Sequence, residues 1–120
     1  MSQEYDIAFI RGDTKKFTAQ YVSGSFPINL TGAKIVLTYK ASYKDADPGI
    51  FQISTQSGGI VITDPTNGEF AVTIASSLTA NLEAPNLSGV YDCEVLLADG
   101  TRKTLLFGTF ILSLNATRIL

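Results

Sequence analysis

Histidine and tryptophan are missing from all 120 residues, and cysteine and methionine occur once each. Without histidine the chain lacks the commonest general base and the commonest metal ligand. The one thiol, Cys93, makes no internal disulfide and no cysteine zinc site. It lies inside an apolar run and reads as an inert core residue. Behind Met1 come Ser2, Gln3, Glu4 and Asp6, so no signal peptide is visible. No apolar run approaches the length that crosses a bilayer, and membrane insertion is not expected. A formal charge of −2, from nine basic and eleven acidic residues, gives no general pull toward nucleic acid. Lys15-Lys16 and Arg102-Lys103 are too short to alter that and read as solvated strand or turn positions. The acidic pairs Asp45, Asp47 and Asp64, Glu69 supply too few oxygen ligands for a calcium loop. Neither a metal nor a cofactor is expected.

What is present is alternation. Hydrophobic residues make up 45% of the chain, enough for a core, and the length fits one domain over residues 1–120. Asp99-Gly100 stands between two long apolar runs, Val90 to Ala98 and Thr104 to Leu114. Asp-Gly in that setting predicts a hairpin with a tight type I′ turn, both residues at positive φ. Phe17, Ala19 and Tyr21 share one face of a strand, as do Ile35, Leu37 and Tyr39, and Phe70, Val72 and Ile74. Ile7–Ile10, Phe51–Thr55 and Ile60–Thr63 are shorter candidates. Turn chemistry at Arg11-Gly12-Asp13, Ser23–Pro27, Asp45–Gly49, Ser57–Gly59 and Asp64–Gly68 separates them. Only Ser76–Glu83 predicts helix, capped by Ser76 or Ser77, with Leu78 and Leu82 four apart and Pro85 closing it. The expected fold is an all-β, immunoglobulin-like antiparallel sandwich of about seven to nine strands with one short helical turn.

Along the strand after that helical corner, Tyr91, Cys93, Val95 and Leu97 face one way, and Asp92 and Glu94 the other. A tyrosine two residues before a cysteine is the spacing of a tyrosine corner, whose hydroxyl would bond back to the preceding loop. The cysteine has no partner, so packing must replace the disulfide. Asp92 and Glu94 lie roughly 6–7 Å apart by strand rise. They read as an open solvated face with no cleft, not as a glycosidase pair. No Gly-x-Ser-x-Gly elbow is present, and catalysis is not expected. Arg11-Gly12-Asp13 spells an adhesion tripeptide but reads as a turn or bulge. Gly12 would supply the unusual backbone angle and Asp13 a bond to a neighbouring amide. The sequons at Asn29, Asn86 and Asn115 read as chance in a chain without a secretory signal.

Several short signatures follow one another in order. They are Ile10–Thr14, Phe26–Gly32, Asp64–Phe70, Ser88–Asp92, Asp99–Thr101, Leu106–Gly108 and Leu114–Arg118. Their succession resembles the immunoglobulin-like domain of phage tail and baseplate proteins, including the N-terminal domain of siphophage baseplate upper proteins. The resemblance covers almost the whole chain. It implies a non-enzymatic virion structural protein of a tail, baseplate or neck. Such a protein is made in the host bacterial cytoplasm, is usually oligomeric and docks on other virion proteins.

The last strand points the same way. Leu106, Gly108, Phe110, Leu112 and Leu114 share one face; Leu105, Phe107 and Ile111 share the other. A two-layer sandwich has one core, so the second face should meet another subunit or be covered by the loop Tyr43–Ile53. Leu105, Phe107 and Ile111, with Ile119 and Leu120 at the terminus, are the expected interface. Gly12, Asp13, Tyr91, Asp99 and Gly100 are the expected structural turn residues. The alternative function is a carbohydrate-binding sandwich contacting a host glycan, with Tyr5, Phe26, Tyr39 and Tyr43 as stacking candidates. A non-viral bacterial adhesion or secretion component is a third reading, disfavoured by the missing signal peptide.

Overall fold

Period-two alternation becomes strand along most of the chain. The computed structural model describes residues 3–115. In chain order the strands are β1 (Gln3–Glu4), β2 (Ile7–Ile10), β3 (Lys15–Gln20), β4 (Val22–Ser23), β5 (Phe26–Pro27), β6 (Lys34–Lys40), β7 (Phe51–Ser54), β8 (Ile60–Asp64), β9 (Glu69–Ile74), β10 (Ser88–Leu96) and β11 (Arg102–Ser113). A 3-10 turn, Pro65–Asn67, joins β8 to β9, and a one-turn helix α1 (Ser76–Thr79) follows β9. One sheet runs β1-β11-β10-β6-β7, with β2 also on β11; the other runs β3-β9-β8. The strands β4 and β5 form a separate ribbon.

The inward faces share one apolar cluster. Ile35, Leu37 and Tyr39 of β6 join Tyr91, Cys93 and Val95 of β10, Phe110 and Leu112 of β11, and Phe70, Val72 and Ile74 of β9. Withdrawing each such side chain from water stabilises the fold by roughly 1.5–3 kcal/mol before entropy is charged against it. Phe110 is the hub. Tyr39 stacks on it at 4.1 Å, Phe51 and Phe9 each approach edge-on at 5.7 Å, and Tyr91 at 6.4 Å. Phenylalanine and tyrosine rings thus fill the core of a chain that has no tryptophan and whose one cysteine is unpaired.

Four local features differ from expectation. First, pairing is antiparallel except at the N-terminus, where β1 and β2 run parallel to β11 along its free edge. Tyr5 and Asp6 interrupt that edge. The Tyr5 N–H donates to the Phe107 carbonyl at 2.9 Å, and the Asp6 carboxylate accepts from Thr109 N–H at 3.0 Å.

Second, the β10–β11 turn is not type I′. Gly100 has φ +94°, but Asp99 keeps a negative φ. Gly100 N–H donates to the Leu97 carbonyl, and Leu97 N–H to the Thr101 carbonyl. This is a three-residue loop, a type I turn closed by a left-handed glycine. Asp99 contributes its side chain instead, accepting from Thr101 N–H at 2.9 Å. That bond holds its carboxyl below the usual range.

Third, the register slips between Cys93 and Glu94. Cys93 faces Leu106 and Glu94 faces Thr104, so Leu105 is the extra residue of a bulge. Leu105 and Leu106 are consequently both buried. Leu105 therefore leaves the outer face expected for it. Leu114, expected inside, is 65% exposed just beyond the end of β11.

Fourth, helix stops at Thr79 rather than Glu83, and neither Ser76 nor Ser77 caps it; Ala75 holds the N-cap without a side-chain bond. Past Thr79 the chain turns so that the Leu82 carbonyl meets Arg11.

Candidate functional site

The register of the six-stranded sheet dictates its outer face. Gln52 of β7, Thr38 of β6, Asp92 of β10 and Phe107 of β11 form one rung. Val36 and Glu94 lie on the next rung one way, Lys40 and Val90 the other. The loop of residues 41–50 rises beside these rungs and converts a flat strand face into a trough of about 390 Å³. Thr38, Lys40, Tyr43, Asp92, Glu94 and Arg102 are among its lining residues. The open, cleftless face expected around Asp92 and Glu94 is thereby corrected.

The loop is held by its own polar groups. The Lys40 Nζ donates to the Asp45 carbonyl at 2.8 Å and pairs with Asp47 Oδ1 at 2.9 Å. The Ser42 N–H donates to Asp45 Oδ2 at 3.2 Å. Across the trough Arg102 Nη1 meets Glu94 Oε1 at 2.8 Å, and the Gln52 amide donates to the Thr38 hydroxyl at 2.9 Å. Asp92 is half-buried, and among the described residues no cation lies within 4 Å of its carboxylate. Partial burial, then the neighbouring Glu94 charge, push its carboxyl above the ordinary range. Tyr43, 58% exposed, feels the same field. Burial, then Asp92 and Glu4, raise its phenol.

A second feature of the outer face is apolar. Ile111 of β11 stands beside Ala8 of β2, and Ile10 beside Ser113, so Ile10 and Ile111 are diagonal neighbours on one face. They are 46% and 48% exposed. The loop of residues 41–50 covers β6 and β10 and leaves this strip open. Phe107 is half-buried two rungs away. Ile119 and Leu120 lie outside the described residues.

The expected turn residues are in place, with different partners. Gly12 has φ +86°, and its N–H donates to the Thr79 hydroxyl at 2.9 Å. The amide bond at this turn belongs to Asp13's own N–H, which donates to the Ile10 carbonyl at 3.0 Å. Arg11 is only 1% exposed. Its Nε donates to Asn115 Oδ1 at 3.0 Å, its Nη1 to the Leu82 carbonyl at 2.9 Å, and Nη1 also pairs with Glu83 at 3.2 Å. A guanidinium so enclosed does not serve an adhesion tripeptide. Sequence reading missed this burial. The one available signal was an arginine directly after an apolar strand and before a glycine turn.

The Tyr91 hydroxyl reaches across the sheet to the Tyr5 carbonyl at the N-terminal edge, not to the loop just before β10. Tyr39 does what was expected of Tyr91: its hydroxyl donates to the Asn86 carbonyl at 2.7 Å, in the loop before β10. Its phenol is pushed up to about 12 by burial. Tyr39 is fully buried and is removed from the stacking candidates, whereas Tyr43 and Phe26 are exposed and Tyr5 borders on it. Cys93 is buried and its thiol is pushed up to about 12 by desolvation, which suits an inert core residue.

In the larger sheet the last strand is flanked by the first and the penultimate strands. Over 93% of this chain and all of the other, the fold superposes on the NK cell receptor Nkp44 with a TM-score of 0.56 and 20% identity. The fold is immunoglobulin-like. Two other solved structures align less closely. A chain of the complex of ICOS with ICOS-L and an anti-ICOS-L VNAR domain has TM-score 0.49 and 12% identity, over 93% of this chain and 56% of that one. A structure of VGSC β subunits, described for multimeric cell-adhesive interactions, has TM-score 0.46 and 14% identity, over 95% and 93% of the two chains. No family model and no curated protein matches the sequence. Among the described residues no helix is long and apolar enough to cross a membrane.

Proposed function

We propose that this immunoglobulin-like domain is a non-enzymatic structural module of a phage virion, in a tail, baseplate or neck, working through protein–protein contact. The observation that carries the contact is the strip of Ile10 and Ile111 on adjoining strands, left open by every loop of the described chain. Neighbouring exposed aliphatic residues on a sheet face favour a second protein surface. The phage context is supported by the ordered signatures from Ile10–Thr14 to Leu114–Arg118. Other virion proteins, and further copies of this chain, are the partners. The domain is made in the host cytoplasm and resides in the virion. Light scattering at micromolar concentration, with capture of purified virion components, tests this. The expected result is an oligomer or a captured virion protein, weakened at least tenfold by Ile111→Lys. A strict monomer that captures no virion component overturns it.

A glycan-binding module is the second reading, favoured by Tyr43 standing exposed on the wall of a polar trough. Aromatic faces pack on sugar rings. A glycan-array signal that disappears in Tyr43→Ala supports this reading over the first.

A further inference from the structure

The trough has an imbalance in what it offers a guest. Its cations are paired, Lys40 with Asp47 and Arg102 with Glu94. The Asp92 carboxylate is the exception. It is half-buried and, among the described residues, has no cation within 4 Å and accepts no side-chain hydrogen bond. Three carboxylates (Asp47, Asp92, Glu94) face two cations (Lys40, Arg102), and the two pairs that form leave Asp92 over. The volume of about 390 Å³ falls within the roughly 300–1,000 Å³ range of sites for small ligands. Tyr43 brings an exposed ring to the wall.

We infer that this trough receives an arginine side chain presented by a partner protein. The guanidinium fork meets the Asp92 carboxylate and the Tyr43 ring offers its face. A planar cation with several donors matches a site whose one unpaired charge is a carboxylate. Guanidinium also stacks on aromatic rings and is more weakly hydrated than ammonium, so it enters a half-buried trough at lower cost. A neutral sugar hydroxyl can donate to Asp92 but leaves its charge unmatched. Both groups are raised first by burial and then by neighbouring carboxylates, Glu94 on Asp92 and Asp92 on Tyr43. This inference rests on the protein–protein reading and specifies the chemistry of one contact, separate from the Ile10 and Ile111 strip.

The test titrates the full ¹⁵N-labelled chain with acetyl-Gly-Arg-Gly-amide and, separately, with the citrulline peptide, its neutral near-isostere. The expected result is saturable amide shift changes at Thr38, Asp92 and Glu94 in the millimolar range. Affinity should fall at least fivefold for the citrulline peptide, and likewise for the arginine peptide with Asp92→Asn. Equal response to both peptides overturns the inference, as does full retention of binding in Asp92→Asn. Should that variant not fold, the two peptides on the unmodified chain decide alone. Maltotriose saturating the same amides where the arginine peptide does not also overturns it, in favour of a glycan. Failure of the parent reading is distinguishable. A domain that captures virion proteins but ignores the arginine peptide loses this inference alone. One that binds the peptide and captures no virion protein loses the assembly role.

Discussion

Arg11 is among the largest side chains withdrawn from water, and it carries a charge. Such a group is tolerated only when its donors are met. Here Asn115, the Leu82 carbonyl and Glu83 meet them, so one side chain joins the end of β2, the turn after α1 and the segment after β11. Glu83 is 59% exposed, so the ion pair with it adds little, and the two enclosed hydrogen bonds matter more. Arg11→Met keeps much of the apolar stem and leaves the Leu82 carbonyl without its donor. Urea unfolding should show a loss of roughly 1.5–3 kcal/mol, the range for hydrogen bonds to charged groups. Arg11→Lys should recover only part of it, because an ammonium does not reach two directions in one plane. A variant as stable as the parent would remove Arg11 from its place as the clasp of that end of the sandwich.

The hairpin of β10 and β11 was legible as an element because both arms alternate and Asp-Gly lies between them. Its turn was not. Residue types permitted positive φ at both positions, while the arms' actual register required a three-residue loop with only Gly100 left-handed. The bulge at Leu105 escaped for a related reason. Lys103-Thr104-Leu105-Leu106 breaks the period of two, but a strand read as unbroken places Leu105 outside. The core positions of β6, β9 and β10 were readable because period two alone assigns them. The trough was not, because the loop that builds its wall, through Tyr43 and Asp47, ends 42 residues before Asp92 in the sequence.

Close approach of strands also hides from sequence. A Cβ on Gly89 would lie 2.2 Å from the Lys40 carbonyl oxygen, a backbone atom with little freedom to retreat. Gly89→Ala should therefore force β10 away from β6 and cost about 1–3 kcal/mol, as overpacked sites do. Chemical denaturation checks the loss. Amide exchange should quicken in β6 and β10 before β8 and β9. Unchanged stability would mean that the two strands part without penalty.

Across the whole molecule, both sheets feed one apolar cluster, and no second core exists among the described residues. The three-stranded sheet contributes Ile60, Phe70, Val72 and Ile74 to it. Separated from the larger sheet it would expose that face to water with only three strands to hold it. The two sheets should therefore unfold together. The aromatic cluster around Phe110 draws its rings from β2, β6, β7, β10 and β11, so tyrosine fluorescence reports mainly the larger sheet. Far-ultraviolet circular dichroism reports both. Heating should give coincident transitions by the two probes, and a single van't Hoff enthalpy equal to the calorimetric one. An earlier transition in circular dichroism than in fluorescence would show the β3-β9-β8 sheet leaving first. In that case the shared interior would not be the agent that joins the layers, and the trough and apolar strip would sit on a sheet able to stand alone.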